Sequence, residues 1–90
     1  MTLLRLNQAE RVTMGRRLAS ARWRTGQTLA QVATQLGVSV NAVKQWERGT
    51  VPRDETRAKL ATLYGMDETA LFAEYAAAVR ERLALLERPA

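Results

Sequence analysis

The chain is rich in arginine, the side chain best suited to binding phosphate groups and guanine edges. Twelve of its 14 basic residues are Arg, and residues 1–60 carry 11 basic and 4 acidic side chains, a net charge of +7. The guanidinium fork matches such acceptors and stays charged at any physiological pH. We therefore expect a polyanion to bind the first two thirds of the chain. A solvated basic surface would explain the charge equally well.

Other reactive side chains are scarce. The chain has no Cys and no His, so it lacks the usual zinc ligands and the usual nucleophilic thiol. Ninety residues, 47% of them hydrophobic and 26% charged, fit one domain that is too small for a deep active-site cleft. The longest apolar runs fall far short of the roughly 18 residues that a membrane span needs. We expect a cytoplasmic protein that is not an enzyme, binds no metal or cofactor and does not associate with membranes.

Capping signals divide the chain into five predicted helices, the elements that must position the arginines. Asn7 with Glu10 and Thr28 with Gln31 have capping-box spacing, and glycines follow several helix ends. The predicted helices cover about Gln8–Arg24, Leu29–Leu36, Val40–Arg48 and Arg53–Tyr64, and a fifth of about 20 residues follows Asp67. The sequence shows no alternating strand pattern. Residues 1–6 could form an arm, a packed segment or a disordered end.

Residues 29–48 have the spacing of two helices that cross at a tight turn. Gly37 permits the turn, and Ala33 is small enough for the helices to approach closely. The apolar residues are expected to lie on one inward face: Val32, Ala33, Leu36, Val38, Val43 and Trp46. This pattern is typical of a helix-turn-helix motif.

The stretch from Gly26 to Gly49, with its Trp46-Glu47-x-Gly49 ending and the upstream Arg22, resembles the DNA-binding domains of lambda-type repressors and Cro proteins, the Xre family. The resemblance runs from about residue 15 to residue 72. It implies an all-α, five-helix lambda-repressor-like domain, and the length of the fifth predicted helix adds an extended C-terminal helix to it. Residues 1–66 would form the DNA-binding domain, and residues 67–90 would complete its core and dimerise.

The resemblance implies that the third predicted helix enters the major groove of DNA. Asn and Gln can pair with adenine, Lys with guanine acceptors, and Val can contact a thymine methyl group. The expected base contacts are Ser39, Val40, Asn41, Lys44 and Gln45. Any surface helix carries polar residues, but the surrounding motif favours base recognition here.

Contacts with the DNA backbone are expected at the start of the second helix and in the loop after the third. They are Gln27, Thr28, Arg48 and Arg53. Similar proteins usually have Gln as the first residue of the second helix, where it touches phosphate, whereas this chain has Leu29. That role must pass to Gln27, Thr28 or backbone amides, or be absent. For Arg53, DNA contact and simple solvation are equally good interpretations.

Two charged residues are assigned to structure instead of binding. In similar proteins an Arg near the end of the first helix pairs with the Glu that follows the recognition-helix Trp or Leu, which implies a structural pair of Arg22 and Glu47. A second group, Arg16, Arg17 and Arg24, is expected on a solvated face, with phosphate contact as the alternative. Trp23 is expected to pack under the basic loop, and an interface role for it is open.

The fifth predicted helix is longer than the core requires. Phe72, Ala76, Val79, Leu83 and Leu86 recur at alternating spacings of four and three, the pattern of a helix-pairing seam. Leu71 and Phe72 should close the core. Self-association to a homodimer is the favoured interpretation, and folding back onto the first helix is the alternative.

These features predict a sequence-specific transcriptional regulator, a repressor that binds double-stranded DNA at a palindromic operator as a dimer. The alternative is the antitoxin of a toxin-antitoxin pair that regulates its own operon, so a toxin or an antirepressor is a candidate protein partner. A rival from another class is a helical interaction module that does not bind nucleic acid. The operator, the regulated genes, the direction of regulation and the host stay open.

Overall fold

The computed structural model describes residues 5–87, and within that range the chain is all-α. Its six helices are α1 (Gln8–Arg24), α2 (Leu29–Leu36), α3 (Val40–Glu47), α4 (Asp54–Tyr64), α5 (Glu68–Leu71) and α6 (Ala73–Leu86). Of the segment 1–6, for which an arm, a packed segment or a disordered end was expected, residues 1–4 lie outside the described range. Leu6, however, is buried in the core. No helix within residues 5–87 is long and apolar enough to cross a membrane.

The helix starts follow the predicted capping signals. Glu10 N–H donates to the Asn7 side chain at 2.8 Å, and Asn7 N–H donates to the Glu10 carboxylate at 2.9 Å. Thr28 and Gln31 make the same reciprocal pair, at 3.1 and 2.8 Å. Because each box satisfies two amides that the helix itself leaves unpaired, both starts are determined locally. Helices α1 and α2 accordingly have the predicted bounds.

Two predicted boundaries were wrong by one residue. Arg48 is the C-cap of α3 and not part of it, and Arg53 is the N-cap of α4, without a side-chain capping bond. Both arginines thus lie at the two ends of one short loop. Asp54 and Glu55 lie in the first turn of α4, where the positive end of the helix dipole favours negatively charged side chains, as expected.

The prediction of one long fifth helix was wrong, because the helix is interrupted at Phe72. The backbone there has φ −116° and ψ 46°, which separates α5 from α6. Leu71, which ends α5, and Phe72, at the interruption, are both buried in the core. The Leu71 carbonyl, left without a helical partner, accepts a hydrogen bond from Arg17 Nη1 at 3.2 Å. Residues 5–87 therefore form six helices instead of five.

The core lies where α1 packs against α3, α5 and α6, while α2 packs on α3 and α4 on α5. The inward face predicted for the helix-turn-helix is confirmed, since all of its residues belong to the core or pack against it. Gly37 adopts φ +68° at the end of α2, which supplies the turn into α3. Other core members come from α1, α4 and the α5–α6 break: Met14, Leu18, Ala21, Leu60, Ala61, Tyr64, Leu71 and Phe72.

Candidate nucleic-acid interface

The outer surface of α3 carries the predicted base-contacting residues. Val40, Asn41, Lys44 and Gln45 are spaced i, i+1, i+4 and i+5 and therefore share one stripe of the helix. Asn41 and Lys44 are exposed, Val40 is 38% exposed and Gln45 is half-buried. Ser39 is also exposed, but its hydroxyl accepts the Ala42 N–H at 3.1 Å as the helix cap. The stripe thus presents an amide, an ammonium group, a second amide and an apolar side chain to solvent.

The C-terminal end of α3 lies directly against α1. A Cβ added at Gly15 would collide with the Glu47 carbonyl oxygen and lie 2.9 Å from the Glu47 carbonyl carbon. Only a residue without a side chain lets the two backbones come this close. Sequence reasoning missed this role, although a glycine inside a helix, which weakens the helix by itself, was a signal for it.

The predicted pair of Arg22 and Glu47 is present and holds the C-terminal end of α3 to α1. Arg22 Nε donates to Glu47 Oε2 at 2.7 Å, and Nη2 donates to Oε1 at 3.1 Å. A third donor, Nη1, reaches the Gln27 carbonyl oxygen at 3.1 Å, so one guanidinium connects three segments. The hydrogen bonds that Arg22 donates to the Glu47 carboxylate raise the pKa of Arg22 above its ordinary value. Burial, with the nearby Glu47 carboxylate, also raises the pKa of Tyr64 to about 12, so the neighbouring phenol stays neutral.

The start of α2 offers fewer unpaired amides than expected. Thr28 N–H already donates to Gln31 within the capping box, and the first intrahelical bond runs from Val32 N–H to the Thr28 carbonyl. The amides of Leu29 and Ala30 precede that bond and keep the character of an anion site. Leu29, the residue that departs from the Xre pattern, is half-buried and packs against the core.

Gln27 is tied into side-chain hydrogen bonds at the same end of the domain. Its Nε2 donates to the Thr25 hydroxyl at 2.9 Å, and its Oε1 accepts from Gln35 Nε2 at 3.1 Å. Gln27 would have to give up one of these partners to bind a phosphate. Thr28 is exposed beside it.

A buried arginine that the sequence analysis did not single out binds the loop between α3 and α4. Arg57 is 6% exposed, donates from Nη1 to the Pro52 carbonyl at 2.7 Å and forms an ion pair with Asp54. Its guanidinium carbon lies 3.9 Å from the ring centroid of Tyr75, which is cation–π distance. Arg57 therefore connects the loop that carries Arg48 and Arg53, both exposed, to α6.

Three other arginines of α1, which were predicted on one solvated face, differ in environment. Arg17, expected on a solvated face, instead donates two hydrogen bonds to Glu74 at 2.7 and 2.8 Å and holds the first turn of α6. Arg16 is exposed, and Arg24 donates to the Met66 sulfur at 3.0 Å. Trp23, expected to pack under the basic loop, is 74% exposed with the Arg22 guanidinium 5.4 Å from its ring centroid.

The predicted seam along the last helix is divided by the fold. Phe72 is 2% exposed, so it belongs to the core of the monomer and cannot contribute to an interface. Ala76 and Val79 are half-buried, whereas Leu83 and Leu86 are 50% and 70% exposed. Leu85, outside the seam, is 58% exposed as well. The C-terminal half of α6 therefore presents leucines to solvent.

An all-helical fold with two short helices crossing at a glycine turn, and a polar stripe on the outer side of the second, defines a DNA-binding domain of the helix-turn-helix class. Residues 13–74 match the model of the helix-turn-helix domain family, and the chain belongs to that family. No curated protein and no solved structure is significantly similar to the chain. Membership of the family implies DNA binding.

Proposed function

We propose that this protein is a sequence-specific transcriptional regulator of the Xre/Cro type, a repressor that acts by occupying its operator. The observation that carries the proposal is the stripe of Val40, Asn41, Lys44 and Gln45 on a helix whose C-terminal end packs closely on α1 at Gly15. In this proposal α3 lies in the major groove and the stripe reads base edges. No catalytic activity is assigned to the protein.

The backbone contacts proposed for this complex lie on both sides of α3. Thr28, the amides of Leu29 and Ala30, and Gln27 after a change of partner would contact one phosphate group, and Arg48 and Arg53 would contact others. These contacts give affinity and orientation, whereas the stripe gives sequence preference. The net charge of +7 on residues 1–60 supports this division.

Selection of bound sequences from a random duplex library tests base reading and yields the operator. Asn41→Ala and Gln45→Ala should each reduce the preference for the selected sequence over random DNA by about 1–3 kcal/mol for each base that the side chain reads. Arg53→Ala is the matched control, because removing a phosphate-binding group weakens specific and random complexes alike. Equal weakening on both DNAs for all three variants would contradict α3 as the reading helix.

We further propose that the active species is a dimer formed through the end of α6. The exposed Leu83 and Leu86 support this proposal, because a small domain gains nothing from leucines left in water. A dimer would read two inverted half-sites about 34–36 Å apart, or a multiple of that distance.

The variants Leu83→Asp and Leu85→Asp test the dimer with matched changes. Both residues are exposed leucines of α6, but only Leu83 lies on the seam. Sedimentation should find Leu83→Asp monomeric and Leu85→Asp dimeric, since a charge is costly only where it must be buried. A parent protein that is monomeric at tens of micromolar and binds one half-site tightly would defeat the dimer.

The antitoxin is the second candidate, and the same leucines support it. Residues 61–90 carry 3 basic and 5 acidic side chains, and this segment would hold a toxin instead of a second copy. The product of the adjacent gene, purified separately, should then bind the parent and Leu85→Asp but not Leu83→Asp. If that product binds the parent, and the parent alone is monomeric, the antitoxin is favoured over the dimeric repressor.

A further inference from the structure

A cleft beside α3 collects three arginines from separate parts of the chain. Its volume is about 530 Å³, and its lining includes Arg5 before α1, Arg11 in α1, Arg48 at the end of α3, and Gln45 and Thr50. All three arginines are exposed. Among residues 5–87 none of the three forms an ion pair with a carboxylate. We call this surface the arginine cleft.

The fold holds these charges close together. Gly49 has φ +115°, and a Cβ there would lie 2.9 Å from Arg11 Cβ, so the loop after α3 presses directly on α1 at Arg11. Arg11 Nη1 donates to the Leu6 carbonyl at 3.4 Å, and Leu6 is 5% exposed. The buried Leu6 therefore fixes the chain next to Arg5, and Gly49 fixes Arg48 next to Arg11.

Three like charges in one cleft repel one another and raise the local positive potential. Elsewhere in the described chain, three arginines are neutralised by carboxylates, as Arg17, Arg22 and Arg57 show. The cleft instead groups three arginines without a carboxylate partner among residues 5–87, so their charge is available to a ligand. Planar guanidinium forks bind phosphate oxygens in pairs, so a phosphodiester fits this surface by both charge and geometry.

Gln45 belongs to both surfaces, since it lies on the stripe of α3 and also lines the arginine cleft. Because the two surfaces share Gln45, DNA held against the stripe would lie beside the cleft. We propose that the arginine cleft binds the phosphodiester backbone of one DNA strand, with Arg5 and Arg11 adding two phosphate contacts to that of Arg48. This inference rests on the proposed function and extends the interface to α1 and the segment before it.

The test measures how affinity for a short random-sequence duplex depends on salt, by fluorescence anisotropy between about 50 and 200 mM NaCl. Each phosphate contact contributes about 0.9 to the slope of log affinity against log salt. The double variant Arg5→Gln, Arg11→Gln should therefore have a slope shallower by about 1.8 per bound protomer. Its preference for the selected operator over random duplex should stay unchanged, because phosphate contacts carry no sequence information.

Two controls separate charge from folding and from position. Arg80→Gln loses the same kind of charge on α6, a helix that packs against α1 and α5, and should leave the slope unchanged. The double variant Arg5→Lys, Arg11→Lys keeps both charges and should keep the parent slope. Circular dichroism should give the same helix content for all variants.

The outcomes distinguish this inference from the proposed function. A parent that binds duplex without salt dependence would contradict the proposed electrostatic complex itself. A parent with a steep slope, matched by the glutamine double variant, would overturn the arginine cleft while leaving the stripe on α3 intact. If the cleft binds only a free anion, inorganic phosphate should raise the melting temperature of the parent but not of the glutamine double variant, while both proteins have the same salt slope with DNA. That result would also overturn the proposal.

Discussion

Helix α1 is joined to two other helices by the same kind of ion pair. Arg22 donates two hydrogen bonds to Glu47 at the end of α3, and Arg17 donates two to Glu74 at the start of α6. The first pair is more enclosed, with side chains 11% and 14% exposed, against 27% and 15% for the second. The chemistry is alike, but the surroundings differ.

The two junctions differ most in the backbone beside the pair. At the α1–α3 junction Gly15 lets the helices touch, and Arg22 has a third partner in Gln27. At the α1–α6 junction the pair holds only the first turn of α6, and the helix ends in exposed leucines. Close backbone packing therefore accompanies the ion pair at the α1–α3 junction. The helix proposed to read DNA has this support, and the helix proposed to pair with a partner does not.

The largest expected effect is that of Glu47→Ala on stability. It leaves Arg22 without its carboxylate in an enclosed site, and breaking a buried pair typically costs about 3–5 kcal/mol. Since both side chains keep slight exposure, we expect about 3 kcal/mol, which lowers the melting temperature by about 12 °C or more. Glu81→Ala, at an exposed glutamate inside α6, is the control. A shift of only a degree or two would mean that the pair does not hold α3.

A smaller effect is expected from Gly15→Ala at the same junction. The added methyl group collides with the Glu47 backbone, and forced overpacking costs about 1–3 kcal/mol. Replacing a glycine inside a helix by alanine stabilises the helix by up to about 1 kcal/mol. We therefore expect the free energy of unfolding, measured in urea, to fall by about 1–2 kcal/mol in total. Ser20→Ala, at an exposed position of α1, should not destabilise the protein. A stability equal to that of the parent would show that α3 can shift without cost.

The smallest effect is expected at the α1–α6 junction. Glu74→Ala should cost about 1 kcal/mol, because the pair is more exposed and solvent replaces part of the interaction. The same experiment on Glu47→Ala ranks the two junctions directly. If Glu74→Ala destabilised the protein as much as Glu47→Ala, burial would not explain the difference between them.

The α1–α6 junction also predicts a dependence on pH. The hydrogen bond from Arg17 lowers the pKa of Glu74 below its ordinary value of 4.5. The pair therefore contributes its full stability above about pH 4.5 and loses it as the pH falls from there through the folded-state pKa. Glu74→Gln should remove this part of the acid destabilisation. Parallel stability curves for parent and variant below pH 4.5 would contradict the linkage.

The helix starts and turns were predictable because their causes are local. Asn7 and Thr28 each bond a residue three positions away, and Gly37 needs only its own conformational freedom. The apolar face of α2 and α3 followed from helical spacing alone. The Arg22–Glu47 pair was reached through the family resemblance, since its two members are 25 positions apart and no local preference joins them.

By itself the sequence determined helices α1 and α2 with their caps, the positions of α3 and α4 to within one residue, the inward face of the helix-turn-helix and the basic charge of residues 1–60. The tertiary structure alone decided the break at Phe72, the contact at Gly15, the partner of Arg17 and the grouping of Arg5, Arg11 and Arg48. The physical reason is distance along the chain. Arg17 and Glu74 are 57 positions apart, so their pairing depends on how whole helices pack and not on any local preference.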